Sequence, residues 1–518
     1  MKRKLDKIFY PKSIAVIGAS NTKGTVGYAL MRNLLEGRFD GKVYPINLKY
    51  RKVFKLQCYS RVRDVPAEID LAVIATPAAT VPKLVRDCGE AGIQSLVIVA
   101  AGFRKEGKVG KAMHKDIAAH ARKYGIRIIG PNSLGIINVN YGMNASFARR
   151  MALPGGLAFI SQSGALCASV LDWSVQQNVG FSHFVSIGAT LDVGFHDLID
   201  YFGSDPDTKC ILIYMESLSD ARAFMSAARA FARSKPIIVL KAGSSKEGAI
   251  ATMSHTGTLA GNDVAFEAAF RRAGIIRVST LAQLFHCAQA VAMQPRPTGN
   301  RLAILTNAGG PGILATDYLI RKGGRLARFP KNSLGFLEEI LPLSWKYRDP
   351  MDVVNDATVE NYGAALEVVM EGEKVDGVLA ILIAQRPQYA LEVARKVVDI
   401  AKKHQKIVLA CWMGEEDVAE ARDLLEQNQI PHFRYPERAV DVFLKMYGYT
   451  KDIELLYETP SSVPRRFRPD RESAMVLLER VRQEGRRRLS ELEVKALLAH
   501  YDIEVIQSYL VQTESAAV

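Results

Sequence analysis

The 518-residue chain has little with which to cross-link itself: six cysteines, at positions 58, 88, 167, 210, 287 and 411, with no C-x-x-C pair among them. That pattern excludes a disulfide scaffold and a cysteine-ligated zinc module, and it reads as free thiols in a reducing cytoplasm. Long apolar runs are also missing. Even the longest uncharged stretches, such as Met151–Leu171, carry Gly, Ser, Gln and Pro, so no membrane span is predicted. The opening MKRKLDKIFYPKS lacks the apolar core of a secretion signal. Acidic charge is the scarcer sign, 54 Asp and Glu against 68 Lys and Arg, a net +14. Much of the excess is local, because Pro464–Arg488 holds nine Arg against four acidic residues. With neither an RNA-type aromatic motif nor a zinc finger, this stretch reads as a solvated basic linker, and no nucleic-acid partner is expected. A composition that is 48% hydrophobic and 24% charged excludes a disordered chain.

What the chain does have is alternation. Short, continuously apolar runs punctuate helix-length segments: SIAVIGA (13–19), KVYPIN (42–47), LAVIAT (71–76), SLVIVAAG (95–102) and RIIG (127–130). Strands buried on both faces look like this, as parallel sheets require. A second series follows with GLAFIS (156–161), FSHFVSIG (181–188), KCILIYME (209–216) and PIIVLKAG (236–243). A third begins after the Pro-rich QPRPTGNR (294–301), with LAILTNAG (302–309), GVLAILI (377–383) and KIVLACWMG (406–414). The fold class is therefore α/β, with three parallel domains at 1–150, 151–296 and 297–450. A basic linker is expected over 451–488. In 489–518, Leu489–Tyr501 reads as a helix with Ser490 as N-cap and Glu493 three residues on, followed by a strand over Ile503–Val511.

The first domain carries a nucleotide-type turn. Its first strand runs into Gly18-Ala19-Ser20, then Gly24 and Gly27, where glycine lets backbone N–H groups approach a phosphate at a helix N-terminus. The spacing is not G-x-G-x-x-G. The second strand ends not in the acid that an NAD ribose wants but in Asn47-Leu48-Lys49-Tyr50-Arg51-Lys52. Cations there suit a ribose that bears a phosphate, as in CoA or NADP. The other strand ends, Thr76-Pro77-Ala78-Ala79, Ala101-Gly102-Phe103 and Gly130-Pro131-Asn132-Ser133, are small or turn-forming and leave room for a thin ligand arm. No hydride-transfer constellation accompanies them, which disfavours an NADP-dependent reductase.

Of nine histidines, His255 stands apart in the small-residue segment Met253–Gly261, read as an accessible, movable loop. His183, His196, His432 and His500 have no evident partner in sequence. A neutral imidazole is a good nucleophile toward phosphorus; the resulting phosphohistidine needs a carboxylate on its other nitrogen and N–H donors on its oxygens. Glu216 closes the strand KCILIYME, and Ser161-Gln162-Ser163-Gly164 follows another strand and opens a helix, so Ser163 and Gly164 are phosphate-binding candidates. A second anion site is expected at Gly309-Gly310-Pro311-Gly312, with Pro311 in the first helical turn. No metal-ligand cluster is predicted.

These residues resemble the NDP-forming acyl-CoA synthetases, the ADP-forming acetate–CoA ligases and their succinyl-CoA synthetase relatives. The motifs SIAVIGAS, DLAVIATPA, IIGPNSLGI, FISQSGAL, YMES, VLKAGSS, SHTGTLAG and TNAGGPGILATD carry the resemblance over about residues 8–450. It implies a Rossmann-like CoA-binding domain followed by two flavodoxin-like domains, with Gly18, Ala19, Ser20, Lys49, Pro77 and Asn132 toward CoA. It implies His255 as the phosphorylated nucleophile, Glu216 as its orienting acid, and Ser163, Gly164, Gly309, Gly310 and Gly312 at two flanking helix N-termini. The implied reaction interconverts acyl-CoA, phosphate and ADP with acid, CoA and ATP. LSELEVKALLAHYDIEVIQSYLVQ resembles the start of an ATP-grasp domain, so ATP, ADP and Mg²⁺ are expected to bind through an ATP-grasp domain or subunit beyond this chain, in an oligomer. Ser133, Leu48 and Ala189 depart from the family pattern, and Ala189 leaves the acid undetermined. The rival reading is a non-catalytic acyl-CoA sensing module of an acetyltransferase-type fusion, which would have no need of His255.

Overall fold

A computed structural model describes residues 3–103, 107–256, 261–329, 350–384, 386–457 and 469–511, with residues 335, 337–339, 341, 513 and 515 besides; the side chains of Arg3, Lys4, Gln176, His255 and Thr256 lie outside the described residues. The chain divides into two compact units, Met1–Leu456 and Tyr457–Val518.

Among the described residues, two parallel sheets and one mixed sheet build the first unit, beside a small antiparallel ribbon of Lys52–Val53 and Leu56–Gln57. In the first, β1 (Ser13–Ile17), β2 (Lys42–Ile46), β3 (Leu71–Ile74), β4 (Ser95–Ile98) and β5 (Arg127–Ile129) lie in the order β2-β1-β3-β4-β5. Every residue of β1, β3 and β4 is buried, the signature of a sheet covered by helices on both faces. The second sheet contains β6 (Gly135–Asn138), β7 (Met143–Ser146), β8 (Leu153–Ser161), β9 (Gly180–Ser186), β10 (Cys210–Met215), β11 (Ile237–Lys241) and β12 (Ile276–Val278), in the order β12-β11-β10-β8-β9-β6-β7. The third contains β13 (Arg301–Thr306), β14 (Arg325–Leu326), β15 (Met351–Asp352), β16 (Gly377–Ile383) and β17 (Ile407–Met413); it runs β14-β13-β16-β17, with β15 also pairing β13.

The sheets change over between Ile129 and Gly135, ahead of the boundary expected near 150. β6 pairs antiparallel with β9 and β7 with β6, so the last strands of the first sequence block complete the second sheet. Long-range polar contacts fix this junction: the Asn33 amide donates to the carbonyls of Ser146 and Ala148, at 2.8 Å each. One apolar core runs continuously from Leu5 through both early sheets to one face of the third. A carboxylate joins the starts of two strands in the third sheet. Asp376, just before β16, accepts from the Arg301 backbone at 2.9 Å and from its guanidinium at 2.7 and 2.6 Å.

In the second unit, two helices (Arg471–Gln483 and Glu491–Ala499) stand where a linker and then a helix were expected. Within the expected linker, Arg471–Gln483 is helical because Asp470 caps it and Ala474, Leu477 and Val481 form a buried stripe. The Ser490 capping box forms as expected: Ser490 accepts from the Glu493 N–H, and Glu493 from that of Ser490. The strand expected over Ile503–Val511 is absent, and the segment is irregular. Most of its apolar residues stay exposed, Ile506 at 85% and Tyr509 at 80%, and without a neighbouring strand an extended segment has no ladder to join.

Burial raises the Asp376 carboxyl, but the bonds from Arg301 outweigh it and hold the group below its ordinary range. The stabilisation this implies is present above about pH 3.9, the unfolded value, and is lost as pH falls through the lower folded value. Asp376→Asn is therefore expected to lower the urea midpoint at neutral pH, and the gap to wild type is expected to narrow near pH 3. An unchanged gap would mean the ion pair is not its source.

Candidate functional site

In each of the three large sheets one parallel strand, β1, β8 or β13, is flanked on one side by the next strand and on the other by a later one, so the chain reverses its winding there. Ligands of open α/β sheets bind at such switch points, outside the carboxyl ends. All three switch points carry the turns singled out in the sequence.

At the first, β1 leads into Gly18, whose φ is +95°. Helix α1 (Val26–Glu36) begins at the N-cap Thr25, whose hydroxyl accepts from the Tyr28 N–H. Gly27 lets this helix sit on the turn, since a Cβ there would lie 1.9 Å from the Gly18 carbonyl oxygen. The resulting cleft, about 650 Å³, is lined by Gly18, Ser20, Lys49 and Pro77 among others, a size suited to a small ligand. Ala19 is buried beneath it and accepts from the Asn47 amide at 2.8 Å. Asn132 does not line it; its N–H donates to the Ala100 carbonyl with a φ of +59°. Sequence reasoning passed over Thr22 and Tyr50, which also face the cleft. Their hydroxyls lie 3.2 Å apart, and hydrogen bonds from Thr22 and Ser20 draw the Tyr50 phenol below its ordinary pKa. A lone Tyr and Thr in polar turns carry no spacing that would have marked them.

At the second switch point, β8 ends in Ser161 and helix α2 (Gly164–Gln176) starts from Ser163, whose hydroxyl accepts from the Leu166 N–H at 3.3 Å. Glu216 follows β10 directly and is 8% exposed. The Gln162 side chain joins the two: its oxygen accepts from the N–H of Glu216 at 2.6 Å and of Ser217 at 3.0 Å, and its nitrogen donates to the Ser217 carbonyl at 3.0 Å. Lys241, at the end of β11, is buried beside them; burial lowers its pKa, with Asp263 and Glu216 opposing. Burial and then Glu216 raise the Tyr214 phenol.

His255 is carried differently from the expectation. The backbone over Lys246–Thr256 is helical, with the Ser245 hydroxyl accepting from the Gly248 N–H at 3.0 Å. The residue thus sits on the last turn of a helix rather than in a loop, because EGAIATM favours helix once Ser245 caps it. Its imidazole and residues 257–260 lie outside the described residues. Of the four histidines without an evident partner in sequence, three approach a carboxylate and one a backbone carbonyl, although the buried ring nitrogens of His183 make no hydrogen bond. His183 faces Asp205 at 3.5 Å, and burial pushes its pKa down to about 4. His196 meets Asp197, His500 meets Asp470, and His432 reaches the Trp412 carbonyl, its pKa pushed down to about 3 by burial.

At the third switch point, helix α3 (Gly309–Arg321) starts after Ala308, which has no side-chain cap, and Pro311 sits in its first turn as expected. Gly310 faces open space, whereas a Cβ on Gly312 would meet Thr306 at 2.9 Å, so Gly312 serves packing against β13. A Cβ on Gly309 would lie 3.1 Å from an Asp352 carboxylate oxygen. An acid therefore already stands beside this helix N-terminus, a neighbour that Asp352's distance in sequence concealed. Among the described residues no group of three or more His, Cys, Asp or Glu could hold a metal ion, and no helix is long and apolar enough to cross a membrane.

Residues 12–139 match the model of the CoA binding domain, and 154–291 that of the succinyl-CoA ligase like flavodoxin domain. An ADP-forming acetate–CoA ligase of Archaeoglobus fulgidus is 39% identical over 507 residues, 97% of this chain and 71% of that protein. The alpha subunit of an ADP-forming acetate–CoA ligase of Pyrococcus furiosus is 37% identical over 86% of this chain and 98% of its own. The solved structure of a dinucleotide-forming acetyl-coenzyme A synthetase from Candidatus Korarchaeum cryptofilum, in complex with phosphate and ADP, is 33% identical and superposes with a TM-score of 0.82, covering 89% of this chain and 99% of that one. On domain models, identity and architecture together, the chain belongs to the ADP-forming acetate–CoA ligase family.

Proposed function

We propose that the chain is the CoA-binding, phosphohistidine-carrying part of an ADP-forming acid–CoA ligase. It would interconvert acyl-CoA, phosphate and ADP with acid, CoA and ATP, together with a nucleotide-binding ATP-grasp domain or subunit. The observation that carries this reading is the second switch point, where one side chain, Gln162, ties the turn that opens a helix to the backbone of the buried acid Glu216. A helix N-terminus supplies N–H donors and a positive dipole end to a phosphoryl group. A carboxylate beside it can hold an imidazole by one ring nitrogen and leave the other free to attack.

In this reading phosphate attacks the thioester carbonyl of acyl-CoA, and CoA leaves as its thiolate. One nitrogen of His255 then attacks phosphorus in the acyl phosphate, and the carboxylate of the acid leaves. Glu216 accepts the N–H of the other ring nitrogen and offsets the positive charge that develops on the ring. The N–H groups of Gly164 and its neighbours hold the phosphoryl oxygens. The phosphoryl group then passes to ADP, and neutral His255 is regenerated. The cleft over Gly18, Ser20, Pro77 and Lys49 takes the CoA nucleotide, with the Lys49 ammonium toward a ribose phosphate. The turn at Gly309–Gly310 serves as a second anion contact, one that must work against the nearby Asp352.

Incubation with acetyl-CoA and labelled phosphate is expected to label His255, and His255→Ala to abolish the label; label that survives the substitution would remove the nucleophile assignment. Glu216→Gln is expected to slow labelling about 10²-fold, the scale of a misoriented reacting group, measured by quenched-flow incorporation. Lys49→Ala is expected to weaken CoA about tenfold, one charge-assisted contact, while leaving dephospho-CoA unaffected in calorimetric titration. Equal weakening of both would place the lysine elsewhere.

A further inference from the structure

The first and second glycine turns of the ligase part, at Ser161–Gly164 and Thr306–Gly309, are built to one plan. Each strand ends in a hydroxyl residue that bridges the turn: Ser161 Oγ donates to the Ser163 carbonyl and accepts from the Ser163 N–H, and Thr306 Oγ1 does the same with Ala308. Each hydroxyl residue is followed by an amide that crosses to the neighbouring strand end. Asn307 accepts from the Ile383 N–H and donates to the Ile383 carbonyl, both at 2.9 Å. Gln162 does this to Glu216 and Ser217. The registers Ser161↔Tyr214 and Thr306↔Ile381 make Glu216 and Ile383 equivalent positions. One methylene longer than Asn, Gln reaches one residue further along the strand end. Beyond the last rung of a ladder these N–H and C=O groups have no strand partner, and left unpaired they would cost free energy or hold the chain in no fixed direction.

From this we infer that Gln162 is a positioning residue for Glu216: its three hydrogen bonds fix the backbone from which the carboxylate projects, and it acts on the chemistry only through that carboxylate. The inference rests on the orienting role proposed for Glu216 and deepens it. The third-sheet copy supports the division of labour. It keeps the clamp but carries Ile383 at the equivalent position, so the clamp belongs to the architecture while the acid belongs to one site alone. Gln162 does not touch the phosphoryl turn's donors, because Ser161 and Ser163 hold that turn independently.

The test is a double-mutant cycle on the rate of His255 labelling from acetyl-CoA and phosphate, with KM for phosphate measured alongside. Gln162→Met keeps length and volume and removes all three bonds. It is expected to lower the labelling rate ~10- to 100-fold with KM for phosphate within about twofold, since the turn's own caps remain. In a Glu216→Gln background it is expected to cost no more than about twofold further, because coupled positions are non-additive. Gln162→Asn, whose amide can pair with the Glu216 backbone as Asn307 pairs with Ile383, is expected to fold and to label within about threefold of wild type. Costs of Gln162→Met and Glu216→Gln that multiply, or a folded Gln162→Asn as slow as Gln162→Met, would overturn the inference. A Glu216→Gln variant that labels at the wild-type rate would instead remove the role of Glu216, and the inference with it.

Discussion

The molecule depends on what happens to backbone polar groups where parallel strands stop. Inside a sheet each N–H and C=O is paired by its neighbours, but at the carboxyl edge the ladder ends and the groups must find other partners. At its switch points this chain meets the demand with short polar side chains one or two residues past the last rung. Asn47 reaches back to Ala19 in the first sheet, Gln162 to Glu216 and Ser217 in the second, and Asn307 to Ile383 in the third. What remains is the start of the following helix, where a hydroxyl cap takes one N–H at Thr25 and at Ser163 and none does at Ala308. Structural satisfaction and anion binding are two outcomes of one arrangement.

Burial supplies the second half of the chemistry. Glu216 and Lys241 lie at adjoining strand ends, both largely removed from water, with Tyr214 beside Glu216. Charges in such a place act on one another more strongly than on the surface. The contrast with Lys49 is instructive. That lysine is exposed at the mouth of an open cleft, where it can meet a hydrated phosphate without first losing its own water.

The three sheets do not make three independent bodies. Strands β6 and β7 leave the first sequence block to complete the second sheet, and one core joins all three sheets. The cleft of the first sheet and the turn of the second therefore belong to one packed unit. That suits a reaction in which a thioester bound in one place must react at another.

Much of this was legible in residue order. Apolar runs such as GVLAILI over 377–383 specify buried parallel strands because both faces are covered, and the strand read there is the strand observed. The turns at Gly18, Ser163 and Gly309, and the capping box at Ser490, follow from local chemistry that needs no distant partner. Contacts distant in sequence were not legible. Nothing near Asn33 announces Ser146, nothing near Gly309 announces Asp352, and Gln162 looks like an ordinary polar residue until Glu216 arrives beside it. The strand expected at Ile503–Val511 failed for the same reason: a strand is a property of a pair, and its apolar alternation could not provide the partner. Sequence alone determined most of the buried strands and the glycine turns that follow them, since those come from local backbone conformation and periodicity, but not the helices at Arg471–Gln483 and Lys246–Thr256. Which turn keeps company with which acid was decided only by tertiary structure, because strand order and register bring together residues that the chain itself holds dozens of positions apart.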